Sequence, residues 1–297
     1  MAATAAMTFS LQSCEWFKTG RGGAGDSLDV QPYCTVSFHD SVTVVESTAY
    51  QEMHIDFPAE EDTSAVSQAV LSWLCEKVRS CCFPDYVGDS AVAVYTPDPV
   101  NATFAEDYVD TYARKGLERM AAEMRSMAED GFNTQYLNSL EISLEEQTND
   151  YLAFTLGYEV YTGGAHGGFT SEGATFFKRD GRKFGWDFFD KEKRSELIEL
   201  IKPELKAYFS SSEEEITTDS ALFDVLTLFD NPDTQENELE FGLPLPATEP
   251  WLAKKGVSFI YQQYEIAPYA AGLPNLVLPL ETVKHCLTGE ARAYLGL

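Results

Sequence analysis

The sequence predicts an α+β fold with antiparallel sheets, packed helices and two subdomains. Three observations predict this fold class. Several runs alternate apolar and polar residues, as half-buried strands do, and other, longer runs repeat apolar residues at helical spacing. The two kinds of run also come in groups instead of alternating strictly. With 297 residues, 44% hydrophobic and 13% aromatic, the chain can bury a large core.

The first predicted elements are a hairpin and two helices. Residues 33–45 and 47–57 alternate and are rich in β-branched side chains, which favours two paired strands. Residues 63–82 and 104–130 carry apolar residues at helical spacing. Together these four runs predict a hairpin that is covered by a pair of helices.

Capping signals mark the ends of both predicted helices. Asp62 or Thr63 is the candidate N-cap of the first helix, and Gly131 is expected to end the second. An apolar stripe at helical spacing usually faces a core. We therefore interpret the methionines of the second helix as core residues in preference to a partner groove: Met120, Met124 and Met127.

The rest of the chain predicts further strands and three helices. Strands are predicted at residues 137–147, 151–161, 169–178, 239–250 and 257–264. Helices are predicted at residues 191–209, 222–229 and 279–287, with Pro203 as a candidate kink. The sharpest boundary lies near residues 131–137. It divides the chain into a leader and tether at 1–32, an N-terminal α+β domain at 33–134 and a second α+β domain at 135–297.

The net charge of −27, from 48 acidic and 21 basic residues, restricts the partners. A polyanion is repelled by nucleic acid and by anionic lipid surfaces, so neither is expected to bind. The opposite field of a basic protein would speed encounter. The simpler alternative is that the acidity only maintains solubility.

The N-terminus resembles a secretory signal. Residues 2–11 are mostly small or apolar, and the following Leu-Gln-Ser-Cys ending at Cys14 resembles a bacterial lipoprotein processing box. Lipidation at Cys14 would anchor the mature protein, with the glycine-rich residues 18–27 as a flexible tether. The departure is the absence of a basic residue before the apolar run. The alternative is an ordinary cysteine near a frayed terminus.

Motifs for metal or cofactor chemistry are not evident in the sequence. The six cysteines lack paired zinc-site spacing, and the four histidines show no His-Glu-x-x-His pattern. No Gly-x-Ser-x-Gly nucleophile motif is present either. We therefore predict no metal, no cofactor and no catalytic residue.

A glycine-rich segment lies between two predicted strands. Residues 161–168 read YTGGAHGG, and four glycines allow positive φ and close backbone approach. The segment could form a turn, a bulge or a nest of amide donors. His166 could hydrogen-bond the backbone of its own loop, bind a ligand or act as a general base.

Three motifs together resemble a known family. They are residues 161–167 (YTGGAHG), 183–189 (KFGWDFF) and 264–272 (YEIAPYAAG), followed by the apolar residues 276–280. Their order resembles the RsiV-like extracytoplasmic domain of bacterial envelope proteins, a domain of unknown function that also stands beside peptidoglycan deacetylase domains. The resemblance covers about residues 151–295. Residues 33–146 bear a weaker likeness to the smaller domain that often precedes it.

The resemblance implies a recognition module of the cell envelope. In that family the extracytoplasmic domain can engage a basic, glycan-cleaving enzyme, so a lysozyme-like protein or a cell-wall glycan is the expected partner. The transcriptional and deacetylase roles are not expected here. The alternatives are a cell-wall hydrolase or deacetylase-type enzyme that uses His166, and a structural envelope protein without a dedicated ligand.

The predicted binding residues come from the first and third of these motifs. Glu265 is a charge at the end of an apolar strand and needs a partner. We expect it to organise a loop by accepting hydrogen bonds from backbone amides or from His166. The full predicted set is Tyr161, Thr162, Gly163, Gly164, His166, Gly167, Glu265 and Tyr269.

Overall fold

The computed structural model describes residues 33–59, 63–82, 104–212, 215–227 and 242–297. The predicted leader and tether, Cys14, and the predicted loops at 84–101 and 232–238 lie outside these residues. The described chain contains both helices and sheets, which confirms the α+β class. None of the helices in this part of the chain combines the length and apolarity that crossing a membrane requires.

The helices and strands follow the predicted order closely. The strands are β1 (Tyr33–Val44), β2 (Ser47–Pro58), β3 (Gln135–Gln147), β4 (Tyr151–Tyr161), β5 (Gly168–Phe177), β6 (Trp251–Ala253), β7 (Gly256–Ile260) and β8 (Asn275–Leu278). The α-helices are α1 (Ala65–Cys82), α2 (Phe104–Glu129), α3 (Arg194–Phe209), α4 (Asp219–Val225), α5 (Leu280–Val283) and α6 (Gly289–Tyr294). Short 3-10 helices lie at Trp186–Phe188, Lys191–Lys193, Tyr269–Ala271 and Lys284–Cys286.

Two sheets contain these strands. The larger has the order β1-β2-β3-β4-β5 and the smaller has the order β6-β7-β8. β1 and β2 form the predicted hairpin, in which Val45 has a positive φ of 57° at the turn. One neighbouring pair departs from the predicted antiparallel pattern, because β2 and β3 are parallel. α1 and α2 come between these two strands in the chain, and a parallel pair requires such a crossover.

The chain divides into two compact units. Unit 1 comprises the described residues within 33–150, together with 156–169 and 178–182, and unit 2 comprises 151–155, 170–177 and the described residues within 183–297. The residues of β4 and β5 are therefore divided between the units. The predicted separation into domains at 33–134 and 135–297 stays a prediction.

In unit 1, α1 and α2 contact each other, and α2 packs on β1 and β2. The predicted methionine stripe is confirmed at Met120 and Met124, which are buried, whereas Met127 is exposed. The Oγ of Ser64 accepts a hydrogen bond from the backbone N–H of Ser67 in the first turn of α1. Ser64 directly follows the two predicted N-cap candidates, Asp62 and Thr63.

In unit 2, an aromatic and aliphatic core joins α3 to the small sheet. Its members include Phe188, Leu197, Ile201, Tyr261 and Val283, all less than 2% exposed. Asp190 caps the start of the helical region, because its carboxylate accepts a hydrogen bond from the backbone N–H of Glu192 at 2.9 Å. α3 then continues through Pro203.

The predicted strand at 239–250 is wrong over the residues that the structure describes. Residues 242–250 are irregular, and regular pairing begins only at Trp251. Pro244, Pro246 and Pro250 explain the difference, because proline has no N–H to donate to a sheet. Strand β7 also ends earlier than predicted, at Ile260, and Tyr264 just beyond it has a positive φ of 66°.

Candidate functional site

A pocket of about 480 Å³ lies in unit 2. Its lining comes from three parts of the chain. Trp186 and residues 189–191 belong to the segment before α3, Arg194 and Leu197 lie on α3, and residues 245–247 belong to the irregular segment before β6. The pocket volume falls within the range of about 300–1,000 Å³ that is typical of small-molecule sites.

Trp186 is held in place through both its backbone and its ring. Its N–H donates to the Glu249 carboxylate at 2.7 Å. The indole is partly buried, with its ring centroid 5.4 Å from that of Phe189 and 5.8 Å from that of Phe259. A Cβ at Gly185 would overlap the Glu249 carboxylate, so a larger residue before Trp186 would displace this carboxylate from its present position. Trp186 is therefore a fixed aromatic wall of the pocket.

The wall at residues 245–247 is fixed by side chains instead of sheet pairing. Glu265 accepts from the N–H of Ala247 at 2.6 Å and, through its other oxygen, from the N–H of Gln262 at 2.7 Å. The Tyr261 hydroxyl donates to the carbonyl of Pro244 at 2.8 Å. Burial raises the pKa of Tyr261, which keeps this hydroxyl protonated as a donor. The segment thus has a defined shape despite its prolines.

Gln262 ties the same wall to β5. Its amide nitrogen donates to the Ser171 carbonyl at 2.6 Å and to the Thr248 hydroxyl at 2.9 Å. The Gln262 side-chain oxygen accepts from the Ser171 N–H at 3.3 Å. One side chain therefore links the irregular segment, β5 and the turn after β7.

Two cations stand at this pocket. Lys191 and Arg194 are exposed, and neither forms an ion pair or a side-chain hydrogen bond within the described part of the chain. Neighbouring lysines differ: Lys193 pairs with Glu196 at 2.6 Å, and Lys202 pairs with Glu199 at 2.6 Å. The pocket thus combines apolar walls with two cations that are available to a ligand.

The chemistry of the lining suits binding. Asp190 contributes the carboxylate of the pocket lining. One oxygen of this carboxylate is already used, because it accepts the capping hydrogen bond from the backbone N–H of Glu192. The other side chains there are aromatic, aliphatic or cationic. An apolar cavity with a few placed polar groups is the usual form of a ligand site.

The glycine-rich segment forms a turn in unit 1. Gly163 and Gly164 have φ of +93° and +97°, as their residue type allows. The Tyr161 hydroxyl donates to the carbonyl of Gly164 at 3.1 Å. His166 Nδ1 lies 2.9 Å from the carbonyl oxygen of Gly167, which confirms that this histidine hydrogen-bonds its own loop. A binding role for the segment stays a prediction.

The remaining predicted residues occupy different positions. Glu265 accepts from backbone amides as expected and thereby shapes the pocket wall, although it is not part of the lining. Tyr269 lies in unit 2, with its ring centroid 6.0 Å from that of Tyr264. Thr162 and Gly167 belong to the turn in unit 1.

A mixed cluster lies at the start of α3, where Glu196, His285 and Cys286 place possible ligand atoms within 4.8 Å of one another. Lys193 already pairs with Glu196. Burial, followed by the Glu196 charge, raises the pKa of the Cys286 thiol. A metal ion would have to displace both the thiol proton and the lysine, so we interpret the cluster as an ion-paired surface group.

Comparison with known proteins places the pocket within a family segment. Residues 186–281 match the family model described as "Protein of unknown function (DUF3298)". All the pocket-lining residues, as well as Glu249 and Glu265, fall within this segment. None of the curated proteins matches the chain.

Two solved structures share the fold. A DUF3298 family member from Bacteroides fragilis NCTC 9343 superposes with a TM-score of 0.64 at 17% identity, covering 91% of this chain and 98% of its own. A DUF3298 family protein from Pseudomonas aeruginosa PAO1 gives a TM-score of 0.50 at 15% identity, covering 89% and 97%. At these identities the likeness shows the fold.

Sequence reasoning missed several residues of this site. The sequence patterns do not point to Lys191, Arg194 or Glu249, and the pattern of residues 239–250 predicts a strand where the structure has the irregular residues 245–247. The usable signal was the spacing of three prolines, Pro244, Pro246 and Pro250, which disfavours a strand. Trp186 is indicated only as part of the motif at residues 183–189.

Proposed function

We propose that this protein is an extracytoplasmic binding protein of the bacterial cell envelope, and that it holds a cell-wall glycan in the pocket of unit 2. The observation that carries the proposal is the fixed, partly buried Trp186 in an apolar pocket of about 480 Å³. The RsiV-like resemblance supports an envelope location. The proposed lipid anchor at Cys14 would hold the protein at the membrane.

A glycan suits this lining because a pyranose ring has one face that is largely C–H. That face can lie on an aromatic ring, while the hydroxyls at its edge meet polar groups or water. Trp186 offers such a surface, and its contacts with Phe189 and Phe259 hold it in one orientation. A preformed aromatic surface lowers the cost of ordering the site on binding.

The test is a calorimetric titration of the protein with soluble glycan fragments of peptidoglycan. Saturable binding is expected for the native protein, and Trp186→Ala is expected to weaken it by about tenfold or more, or about 1.4 kcal/mol. Phe132→Ala is the control, because Phe132 is an aromatic side chain of unit 1 that is 62% exposed. Circular dichroism checks that both variants fold. Absence of binding, or equal weakening by both substitutions, would reject the proposal.

The lipid anchor has a separate test. Incorporation of labelled fatty acid into the full-length protein, lost in Cys14→Ser, is expected in a bacterial host. Labelling that persists in the variant would exclude Cys14 as the modified residue.

A second candidate partner is a basic, lysozyme-like protein. The net charge of −27 favours it, because complementary fields speed association. The enzymatic alternative with His166, and a purely structural role, stay predictions. Turnover of cell-wall glycan or peptide that disappears in His166→Ala would favour the enzyme, and its absence in the native protein would argue against it.

A further inference from the structure

Two cations line the pocket of a strongly acidic chain. Acidic residues outnumber basic ones by 48 to 21, and lysines on α3 are consumed in ion pairs. Lys191 and Arg194 nevertheless stand at the pocket without an ion pair in the described residues. Cations that are left available beside an apolar cavity favour a ligand that brings its own negative charge.

We infer that the pocket selects a sugar that carries a carboxylate, and that Arg194 recognises the acid group. The inference rests on the proposed glycan-binding function and specifies its ligand class. The sugar ring lies against Trp186, and the carboxylate reaches the cations at Arg194 and Lys191. A neutral sugar would use only the first of these contacts.

Arg194 suits a carboxylate for geometric reasons. Its guanidinium is planar and offers paired N–H donors whose spacing matches the two oxygens of a carboxylate. Lys191 supplies a second positive charge without that directional match. The division of roles therefore places recognition on Arg194 and general attraction on Lys191.

The surrounding charges favour a single carboxylate over a more highly charged group. Asp190 lies in the same lining, and the whole chain is strongly acidic. A phosphate dianion would meet more repulsion from both than a monoanion would. The apolar character of Trp186, Leu197 and Leu245 also requires that the ligand present a C–H surface beside its charge.

The experiment compares two ligands that differ in the charge of one carboxyl group and in the methyl group that removes this charge. One is the disaccharide of N-acetylglucosamine and N-acetylmuramic acid, and the other is its methyl ester at the lactyl carboxylate. Calorimetry on the native protein at low salt is expected to give about tenfold tighter binding of the acid, or about 1.4 kcal/mol. The preference should shrink as salt is added, because the cations are exposed.

Arg194→Gln is expected to remove most of the preference for the acid over the ester, because only the charge of Lys191 then remains at the pocket. Lys255→Gln is the matched control: it removes the same charge from an exposed position in the turn between β6 and β7, and should leave the preference intact. Both substituted side chains are exposed, so both variants should fold.

The outcomes separate the two proposals. If the acid and the ester bind equally well, the inference is wrong and the glycan-binding function stands. If neither binds, the proposed function itself fails. A preference that is unchanged in Arg194→Gln, or that falls equally in Lys255→Gln, overturns the role of Arg194.

Discussion

Glu265 shows how one carboxylate can shape a site without facing the ligand. Its two oxygens accept from two backbone N–H groups that are 15 positions apart in the chain, those of Ala247 and Gln262. Neither N–H belongs to a strand, because the described segments around both are irregular. The carboxylate therefore replaces the pairing that the prolines of residues 244–250 prevent.

Replacing Glu265 with glutamine tests this role at the residue scale. Glutamine keeps one acceptor oxygen but puts an NH₂ donor where the second oxygen stood, so two donors face each other. Hydrogen bonds to charged groups contribute about 1.5–3 kcal/mol each. We expect Glu265→Gln to lower the free energy of unfolding by about 1–3 kcal/mol, measured by urea denaturation.

Glu204→Gln is the control for this measurement. Glu204 is exposed on α3 and has no described side-chain partner, so its substitution should change stability by less than about 0.5 kcal/mol. Equal stability of the Glu265→Gln variant and the native protein would contradict the positioning role. On the proposed function, glycan affinity should fall with Glu265→Gln and not with Glu204→Gln.

Among the elements, those with local signals were predictable. β4 occupies residues Tyr151–Tyr161, as its alternation predicted, and Gly131 ends α2 with a φ of +82°. Both signals, the alternation of apolar and polar residues in a strand and the glycine that ends a helix, depend only on residues that are close together in the sequence. The pocket wall was not predictable in this way, because its shape depends on Glu265 and Tyr261, which bond residues 17 or 18 positions away.

α4 is held to α3 by a second charged arrangement. Asp219 in the first turn of α4 accepts from Lys202 at 2.8 Å and pairs with Lys206 at 2.6 Å, both on α3. The hydrogen bond from Lys202, followed by that from Lys206, lowers the pKa of Asp219 from 3.8 to about 2. The pairing thus favours the ionised carboxylate in the folded protein.

This shift predicts a pH dependence for the attachment of α4. Because the folded pKa lies below the unfolded one, the stabilisation is fully present above about pH 4 and is lost as pH falls towards 2. Asp219→Asn should be less stable than the native protein above that range, and the difference should shrink below it. The effect should be small, since Asp219 is exposed and its charges are screened.

Urea unfolding at a series of pH values measures the difference. Asp224→Asn is the matched control, because Asp224 lies on the same helix, is exposed and has no described partner. It should show no such pH-dependent difference. A stability gap for Asp219→Asn that stays constant from neutral to acidic pH would contradict the pairing.

For the whole molecule, charge was the property that the sequence predicted most directly. The excess of 27 negative charges follows from composition alone, whereas the position of the pocket required the fold. The sequence indicates Trp186 only as part of a motif, and it indicates Glu265 as a strand-end charge that needs a partner, but it does not connect the two. The structure brings residues 186–190 and 245–247 together, and this long-range contact could not be inferred from spacing.

The charge of the whole chain predicts a salt-sensitive association with a basic protein. Hen lysozyme is the probe, and cytochrome c, which is also small and basic, is the control for non-specific attraction. If the lysozyme-like partner is correct, lysozyme should bind at low and at physiological salt, with a rate of association that falls as salt is added. Cytochrome c should bind only at low salt, because attraction without a matched interface is screened. Surface plasmon resonance measures both. Absence of lysozyme binding at low salt excludes this partner. If lysozyme and cytochrome c bind identically, the negative charge of the chain attracts basic proteins without specificity.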